Sequence, residues 1–373
     1  MKIAVNTRLL IDNKLDGIGW FTYESLKRIT TSYKNHEFIF IFDRPYSNKF
    51  IFSENITPVV IGPQTRHPFL WYFWFEKCIP KILKKYNADI FLSPDGYLSL
   101  STSIPSIAII HDINFHHQPE DLPFFTRKYY QYYFPKFAQK AIRIGTVSNY
   151  SKNDIVNSYN IKKDKIDVLY NGANCYYKPI SENEKRKIKR NFTNGYNYFV
   201  FVGNLHPRKN VTRLLQAFDL FKKETNSEMK MVIVGDKFFK TKEISNTYKK
   251  MKNKNDVIFT GRQSPNNLRL LIGGATALTF VPTFEGFGIP NLEAMYCDIP
   301  VITSNSTAIP EVVHDAGILV DPYWVAEIKE AMVKISTDFD FRNKLIEKGQ
   351  KRRTLYSWDN TAENLWKCIE KCI

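Results

Sequence analysis

The sequence predicts an α/β protein of two domains, each built on a parallel β-sheet covered by helices on both faces. Short apolar runs alternate with helical patterns along the chain, which is typical of such sheets. The alternation begins at Lys2 and restarts at Tyr198, after a polar, lysine-rich segment. The chain has 373 residues, more than one usual core needs. We therefore expect one domain at residues 1–177 and a second at residues 178–355.

The first half alternates regularly between strands and helices. Lys2–Thr7 reads as an apolar strand, and a loop with Asp16-Gly-Ile-Gly19 separates it from a helix at about Trp20–Ile29. Further strands are predicted at Glu37–Phe42, Val59–Ile61, Asp89–Leu92, Ile107–Ile110 and Ile144–Val147. Ligands of parallel sheets bind at the carboxyl ends of the strands, and His111 with Asp112 follows one such end.

The second half repeats the pattern after a predicted linker at Lys178–Asn197. Strands are expected at Tyr198–Gly203, Met231–Gly235, Val257–Gly261, Ala277–Pro282, Val301–Thr303 and Ile318–Val320. Ser148 and Asp338 are predicted to cap helices, because their side-chain oxygens can accept from the first unpaired N–H groups.

The stretch Thr283–Glu293 carries the strongest functional signal. A buried strand ends there in a glycine-rich turn, and a proline then opens a helix. Gly286 and Gly288 permit close approach of the backbone to a ligand, and the N–H groups of a helix start favour phosphate. Glu285 in the loop and Glu293 in the first helical turn are acceptors suited to hydroxyl groups. We expect a polyhydroxylated ligand that also carries phosphate.

Glu285, seven intervening residues and Glu293, with Gly-Phe-Gly-Ile-Pro between them, resemble the paired-glutamate signature of retaining GT-B glycosyltransferases, in particular glycosyltransferase family 4. The resemblance covers nearly the full chain and is most specific at residues 206–210 and 284–321. It implies a GT-B fold, with two Rossmann-like domains facing across a cleft and the nucleotide-sugar held mainly by the second. It also implies that the segment from about residue 356 to 373 packs back on the first domain.

Four residues are the catalytic candidates. Arg208 and Lys209 stand at a predicted strand-to-helix junction, where cations and a helix N-terminus can hold a diphosphate. By resemblance they form a phosphate clamp that neutralises the leaving diphosphate. Glu285 would hold the transferred sugar, and His111 would hydrogen-bond that sugar near the reacting carbon.

Eight residues are candidates for binding the nucleotide-sugar. By resemblance, Glu293 accepts the ribose hydroxyls and the N–H groups at the glycine turn hold the sugar. The loop after the first strand lies over the phosphates, and Arg262 meets the nucleobase. The full set is Gly17, Gly19, Gly203, Arg262, Phe287, Gly288, Ile289 and Glu293.

Metal-binding patterns are weak. His111, Asp112, His116 and His117 have suitable side chains, but adjacent histidines point in different directions and the family resemblance does not require a metal. The Asp338-Phe-Asp340 triplet falls among helical patterns, which favours helix capping. We expect no metal and no cofactor, the donor being a co-substrate.

The formal net charge of +16 favours an anionic partner. No nucleic-acid-binding motif is present, so we expect no nucleic acid. Five cysteines without a Cys-x-x-Cys pair indicate reduced thiols. The first residues enter a strand directly, leaving no room for a signal peptide, and no apolar run is long enough to cross a bilayer. The expectation is a cytoplasmic protein.

Two aromatic clusters lie beside basic residues: Phe69–Phe75 runs into Lys77, Lys81, Lys84 and Lys85, and Phe124–Phe137 is interleaved with Arg127, Lys128 and Lys136. Core packing accounts for at least half of the rings. The alternative is contact with an anionic membrane surface, with rings at headgroup depth and cations on the lipid. This interpretation predicts a peripheral position on the inner face of the cytoplasmic membrane.

The His111-Asp112 and Pro207-Arg-Lys-Asn210 segments are most similar to mannosyltransferases of bacterial surface-polysaccharide synthesis. The resemblance implies retaining transfer of mannose from GDP-mannose to a lipid-linked or oligosaccharide acceptor. A UDP-sugar is the second choice of donor. A nucleotide-sugar epimerase of the same fold and a basic nucleic-acid-binding protein are the alternatives from other classes.

Overall fold

The computed structural model describes residues 1–235 and 242–372. The chain divides into two compact units, and their described parts are residues 1–172 with 357–372 for unit 1 and residues 173–235 with 242–356 for unit 2. Each unit is a parallel sheet with its own hydrophobic core. The predicted fold class, two Rossmann-like α/β domains, is confirmed.

Unit 1 is built on a sheet in which every strand pair is parallel. Its strands are β1 (Lys2–Asn6), β2 (Glu37–Phe42), β3 (Ile56–Val60), β4 (Ile90–Ser93), β5 (Ser106–Ile109), β6 (Arg143–Thr146) and β7 (Ile166–Val168). Their order is β3-β2-β1-β4-β5-β6-β7. The order reverses between β1 and β4, which is where sheets of this kind bind ligands.

Helices cover both faces of this sheet. They are α1 (Gly17–Ser32), α2 (Pro68–Phe73), α3 (Ile79–Lys85), α4 (Asn114–His117), α5 (Phe124–Lys140) and α6 (Asn149–Tyr159), with a π-helical turn at Trp74–Cys78 joining α2 to α3. Successive strand residues point to opposite faces. Ile3 and Val5 of β1 therefore join the core that contains Phe21, whereas Ala4 joins the core that contains Phe137.

Unit 2 repeats the arrangement. Its strands are β8 (Tyr198–Val202), β9 (Lys230–Val234), β10 (Val257–Gly261), β11 (Ala277–Phe280), β12 (Val301–Ser304) and β13 (Gly317–Val320). All of their pairings are parallel, in the order β10-β9-β8-β11-β12-β13. The order reverses between β8 and β11, so this unit presents its own switch point.

The helices of unit 2 lie on both sides of the sheet. They are α7 (Glu182–Thr193), α8 (Val211–Thr225), α9 (Lys242–Lys250), α10 (Pro265–Gly273), α11 (Ile289–Tyr296), α12 (Ile309–Val313), α13 (Val325–Thr337) and α14 (Phe339–Arg353). The core between them and the sheet includes Phe199, Phe218 and Met332, all fully buried.

The last helix, α15 (Trp358–Glu370), belongs to unit 1 and packs on α1. The ring of Trp366 stacks on Tyr33 with centroids 3.7 Å apart, and Arg28 Nε donates to Asp359 at 2.5 Å. Gly172 accommodates the start of this helix, because a Cβ there would lie 2.3 Å from the backbone nitrogen of Trp358.

The prediction of a linker at Lys178–Asn197 is wrong, because that segment contains α7. Ser181 accepts from the N–H of Glu184, whose carboxylate accepts from the N–H of Ser181, and this capping box starts the helix. Ile188 is buried against Gly274 and Phe192 packs against the same core, so two apolar side chains anchor an otherwise highly charged helix. The sequence analysis also missed β7, which is only three residues long.

The predicted helix caps are confirmed: Ser148 accepts from Ser151 N at 3.0 Å and Asp338 from Phe341 N at 2.9 Å. All five cysteines are free thiols. Within residues 1–235 and 242–372, no helix is both long enough and apolar enough to cross a bilayer.

Candidate active site

The switch point of unit 2 brings together the loops that follow β8 and β11. The two strands are hydrogen-bonded neighbours, so residues 203–210 and 281–288 leave the sheet side by side. Three sequence-predicted residues meet there: Arg208 and Lys209 from the first loop and Glu285 from the second.

Glu285 receives both cations on one carboxylate oxygen. Arg208 Nη1 donates to Glu285 Oε1 at 2.9 Å and to the carbonyl of Phe284 at 3.0 Å, and Lys209 Nζ donates to the same Oε1. Lys209 and Glu285 are 9% and 8% exposed. Within this cluster one negative charge faces two positive charges, and the low exposure strengthens their interaction with a further anion. We call these three residues the cationic corner.

Backbone and side-chain hydrogen bonds fix the two loops against each other and against Thr307. Thr283 N donates to the carbonyl of Arg208 at 2.8 Å, and Asn210 Nδ2 donates to the carbonyl of Val281 at 3.0 Å. Glu285 N donates to Thr307 Oγ1 at 3.1 Å. Asn210 and Thr307 are positioning residues: the sequence analysis included Asn210 in the clamp segment without a role of its own and did not identify Thr307. Both residues adopt positive φ angles, and no local sequence pattern predicted this.

The glycine turn leads directly into α11. Gly288 has φ of +90°, and a Cβ there would lie 2.5 Å from Ile309 Cδ1, so only glycine fits. Phe287 is 3% exposed and packs edge-on against Tyr356 at 5.5 Å. Ile289 is the first residue of the helix. The backbone of all three residues therefore lies at the N-terminal end of α11, beside Glu285.

Glu293 lies deeper in α11 than predicted. It is in the second turn rather than the first, because the helix begins at Ile289. The hydroxyl of the buried Tyr177 hydrogen-bonds its carboxylate. Burial raises the pKa of Glu293 to about 7, against the opposing effect of that hydrogen bond. Tyr177 is distant in sequence, and no pattern pointed to it.

Two other nucleotide-binding candidates in unit 2 follow different strands. Gly203 comes directly after β8 with φ of +154° and donates its N–H to the carbonyl of Val234 at 3.0 Å. Arg262 is exposed and follows β10, which is separated from β8 by β9. It therefore leaves the sheet two strands away from β8, whereas Gly203 adjoins the cationic corner.

His111 follows β5 in unit 1. Its Nε2 is 2.9 Å from the carbonyl of Pro94, and because a carbonyl can only accept, Nε2 carries the proton. Phe21 packs edge-on against the imidazole at 4.9 Å. Burial lowers the pKa of His111, against the opposing effects of that hydrogen bond and of nearby carboxylates. The neutral ring then has Nδ1 as a hydrogen-bond acceptor.

Gly17 and Gly19 lie in the first turn of α1, so the prediction of a loop up to Trp20 is wrong. Asp16 caps the helix by accepting from Gly19 N at 2.9 Å. A Cβ on Gly19 would lie 3.1 Å from Leu15 Cδ2, so the residue is tightly packed. Gly17 is exposed at the first helical position, where its N–H has no acceptor within the helix.

The histidines of the weak metal pattern have separate partners. His117 Nε2 lies 2.7 Å from Asp154 Oδ1, while His111 bonds Pro94. Within the described ranges no three His, Cys, Asp or Glu side chains group in a way that could hold a metal ion.

Two family models match the chain. The model of glycosyl transferases group 1 matches residues 182–352, and the model of glycosyltransferase family 4 matches residues 16–176. Together they cover most of both units.

The chain is similar to two O-antigen chain mannosyltransferases and to a solved structure of the same fold. The O-antigen chain mannosyltransferase B of Escherichia coli is 28% identical over 279 residues, 74% of this chain and 73% of that protein. The O-antigen chain mannosyltransferase RfbU of Salmonella typhimurium is 27% identical over 267 residues, 70% of each protein. Among solved structures, Anabaena HepE in complex with UDP and glucose superposes with a TM-score of 0.77, covering 99% of both chains at 17% identity.

Proposed function

The chain belongs to the family 4 glycosyltransferases of the GT-B fold and is a hexosyltransferase, and from this premise we propose that it transfers mannose from GDP-mannose to a lipid-linked or polysaccharide acceptor, with retention at the anomeric carbon. One observation carries the proposal: the cationic corner stands at the switch point of the C-terminal sheet, beside the start of α11.

The cationic corner is suited to a leaving diphosphate. When the bond between the sugar C1 and the diphosphate oxygen breaks, negative charge develops on that oxygen. Arg208 and Lys209 would stabilise it electrostatically, which is the largest single contribution in many enzymes. Because Glu285 binds both cations in this structure, a diphosphate would share them and leave the carboxylate to accept a hydroxyl of the sugar.

Retention follows if the acceptor attacks from the face that the diphosphate leaves. The bond from C1 to the diphosphate breaks, a bond from C1 to the acceptor oxygen forms, and the departing phosphate takes the acceptor's proton. Glu285 is held by Arg208 and Lys209, so we assign it to binding the sugar rather than to attack on C1. No protein nucleophile is required in this scheme.

The remaining candidates would bind the donor. We assign the backbone at Phe287, Gly288 and Ile289 to the sugar and the diphosphate, because the N-terminal end of a helix favours anions. Glu293 is assigned to the ribose hydroxyls. We assign Gly203, Gly17 and Gly19 to contacts with the phosphates and Arg262 to a contact with the base.

His111 is proposed to bind the transferred sugar. Its Nε2–H is held by the Pro94 carbonyl, so the neutral ring would accept a sugar hydroxyl at Nδ1. A protonated imidazole would lose this acceptor. In this role His111 orients the sugar and does not act as an acid.

The names of the relatives support the choice of sugar and acceptor. Both curated relatives described above are O-antigen chain mannosyltransferases, at 28% and 27% identity. O-antigen chains are polysaccharides, so we propose an acceptor of that class, at the inner face of the cytoplasmic membrane.

A panel of nucleotide-sugars tests the proposal. We expect GDP release from GDP-mannose, faster with a lipid-linked oligosaccharide present, and a product with retained anomeric configuration by NMR. Turnover only with a UDP-sugar would overturn the choice of donor. Formation of an epimer without any acceptor would replace transfer by epimerisation, and binding to nucleic acid without donor turnover would remove the enzymatic proposal.

We propose that no divalent metal is needed, because Arg208 and Lys209, paired with Glu285, would themselves stabilise the charge on the leaving diphosphate. Turnover is expected to be unchanged in excess chelator. A strict requirement for added Mg²⁺ or Mn²⁺ would show that Arg208 and Lys209 do not suffice.

A further inference from the structure

Two helical segments of unit 1 expose large apolar side chains in unusual density. The exposed fractions reach 68% at Phe69, 57% at Phe124 and 56% at Phe125. We call the whole set the aromatic face: Phe69, Leu70, Tyr72 and Phe73 of α2, with Phe124, Phe125 and Tyr132 of α5.

The aromatic face is one surface rather than two separate patches. The rings of Phe69 and Phe125 lie 6.0 Å apart across the two helices, and Tyr72 lies 6.2 Å from Tyr133. Beneath them Trp71 stacks on Tyr130 at 5.8 Å and 14°. A second aromatic layer therefore supports the exposed rings and orders them.

The exposed rings are additional to those that the core needs. The inward side of the same segments already buries Trp74, Phe75, Phe134 and Phe137 at 4% exposure or less. Clustered apolar surface left in water is costly, and on soluble proteins such patches mark interaction sites. Core packing thus explains one side of each segment and leaves the other unexplained.

The two helical segments of the aromatic face carry mostly positive charge, and the acidic Glu120 and Asp121 lie just before α5. Helix α5 contains four basic residues and no acidic one. Residues 66–85 contain five basic residues and a single acid, Glu76, whose carboxylate accepts from the N–H groups of Leu100 and Ser101. Lys136 Nζ lies 3.5 Å from the centroid of the Tyr132 ring. Positive charges thus lie next to exposed rings on the same surface.

We propose that the aromatic face docks unit 1 on an anionic membrane, with its rings among the lipid headgroups and its cations on the lipid phosphates. Aromatic and basic side chains on one surface are the combination that such an interface binds. A second copy of this chain is a less suitable partner for the aromatic face, because the basic residues of the two copies would repel each other. This inference rests on the proposed function in one respect: docking would bring a lipid-linked acceptor within reach of the enzyme.

Vesicle binding tests the docking surface without any donor. The full-length protein should sediment at low salt with vesicles of phosphatidylcholine and phosphatidylglycerol in equal parts, and far less with pure phosphatidylcholine. The variant Phe69→Ser/Phe73→Ser/Phe124→Ser/Phe125→Ser should bind about a hundredfold more weakly, because four partly inserted rings are lost. The variant Arg127→Gln/Lys128→Gln/Lys136→Gln should lose the preference for anionic vesicles.

A matched control removes three exposed aromatic side chains from unit 2. Tyr323, Trp324 and Phe339 are 58%, 62% and 62% exposed, and changing all three to Ser should leave vesicle binding unchanged. The circular dichroism spectrum and the Tm of the four-ring variant should match those of the parent, which shows that the variant is folded. Equal vesicle binding by parent and four-ring variant would overturn the proposal. So would a dimer in light scattering that the four-ring variant converts to monomer.

Discussion

The two units have the same strand order around their switch points, yet they place different charges there. In unit 2 one carboxylate, Glu285, receives two cations. In unit 1 the loops after β1 and β4 place a single cation on a single carboxylate: Arg8 Nε donates to Asp95 Oδ2 at 2.6 Å. Asn6 Nδ2 donates to the other carboxylate oxygen at 2.8 Å.

Under the proposed function, topology puts both charge clusters at a switch point, and the charge balance of the loops decides which of the two would bind an anion. The corner in unit 2 carries an excess positive charge and suits a diphosphate. The pair in unit 1 is neutral and buried, with Arg8 6% exposed and stacked over the Tyr97 ring at 4.2 Å. Such a pair orders its loops and carries no excess charge that would attract an anion.

Removing both cations from the corner should have the largest effect on turnover. Arg208→Ala/Lys209→Ala should lower kcat by at least about a thousandfold, because the leaving diphosphate loses its stabilisation. Circular dichroism should show an intact fold. The control is Lys222→Ala/Lys230→Ala, which removes two cations from Asp256 in the same unit and should leave kcat near the parent value. Near-normal turnover of the first variant would remove the clamp from the mechanism.

Removal of the Glu285 carboxylate tests whether the cationic corner is a ligand site or only a structural ion cluster. Glu285→Ala should lower turnover about a hundredfold or more and lower the free energy of unfolding by about 3–5 kcal/mol, since the buried Lys209 and the partly buried Arg208 lose their carboxylate partner. GDP should then raise the Tm of this variant more than it raises that of the parent. Asp256→Ala, which also leaves two lysines unpaired, should gain no extra stability from GDP. Equal GDP stabilisation of both variants would place the diphosphate elsewhere.

Breaking the neutral pair in unit 1 should affect stability rather than donor binding. Arg8→Met leaves Asp95 buried without its cation and should cost about 3–5 kcal/mol of unfolding free energy by denaturant titration. Arg8→Met/Asp95→Leu should recover most of that loss, and the Kd for GDP should stay constant throughout. A changed Kd would mean that the pair takes part in donor binding.

The smallest expected effect is a pH dependence at Glu293. In the proposed role its carboxylate would accept ribose hydroxyls more strongly when charged, so with a pKa of about 7 donor affinity should fall severalfold as pH drops from about 8 to 6. Glu293→Gln should bind more weakly and without this slope. Tyr177→Phe should shift this pH dependence to higher pH. The hydrogen bond from Tyr177 stabilises the charged carboxylate, so its loss raises the pKa of Glu293.

The same group links pH to folding. Its pKa is raised from 4.5 to about 7, so the folded state holds this proton more tightly than the unfolded chain. The resulting stability is complete below pH 4.5 and is lost as pH rises through 7. Glu293→Gln should remove this part of the pH profile, and an unchanged profile would contradict the assignment.

Local sequence patterns predicted the elements well where one signal dominated. Apolar runs such as Tyr198–Val202 located buried strands, and Ser148 and Asp338 announced helix starts. The pattern failed at α7, where high charge concealed a helix held by its capping box and by Ile188. It also failed at the start of α1, because glycine next to a capping aspartate reads equally well as loop.

The sequence by itself determined the α/β class, the two parallel sheets and, through the Glu285 to Glu293 segment, the family, because these depend on periodicity and on residues close together in the chain. Only the tertiary structure decided that Glu285 binds Arg208 and Lys209, that Tyr177 meets Glu293, and that six rings of the two aromatic clusters in unit 1 face solvent. Those contacts join loops from separate strands, and their energies depend on burial and distance, which no local pattern encodes.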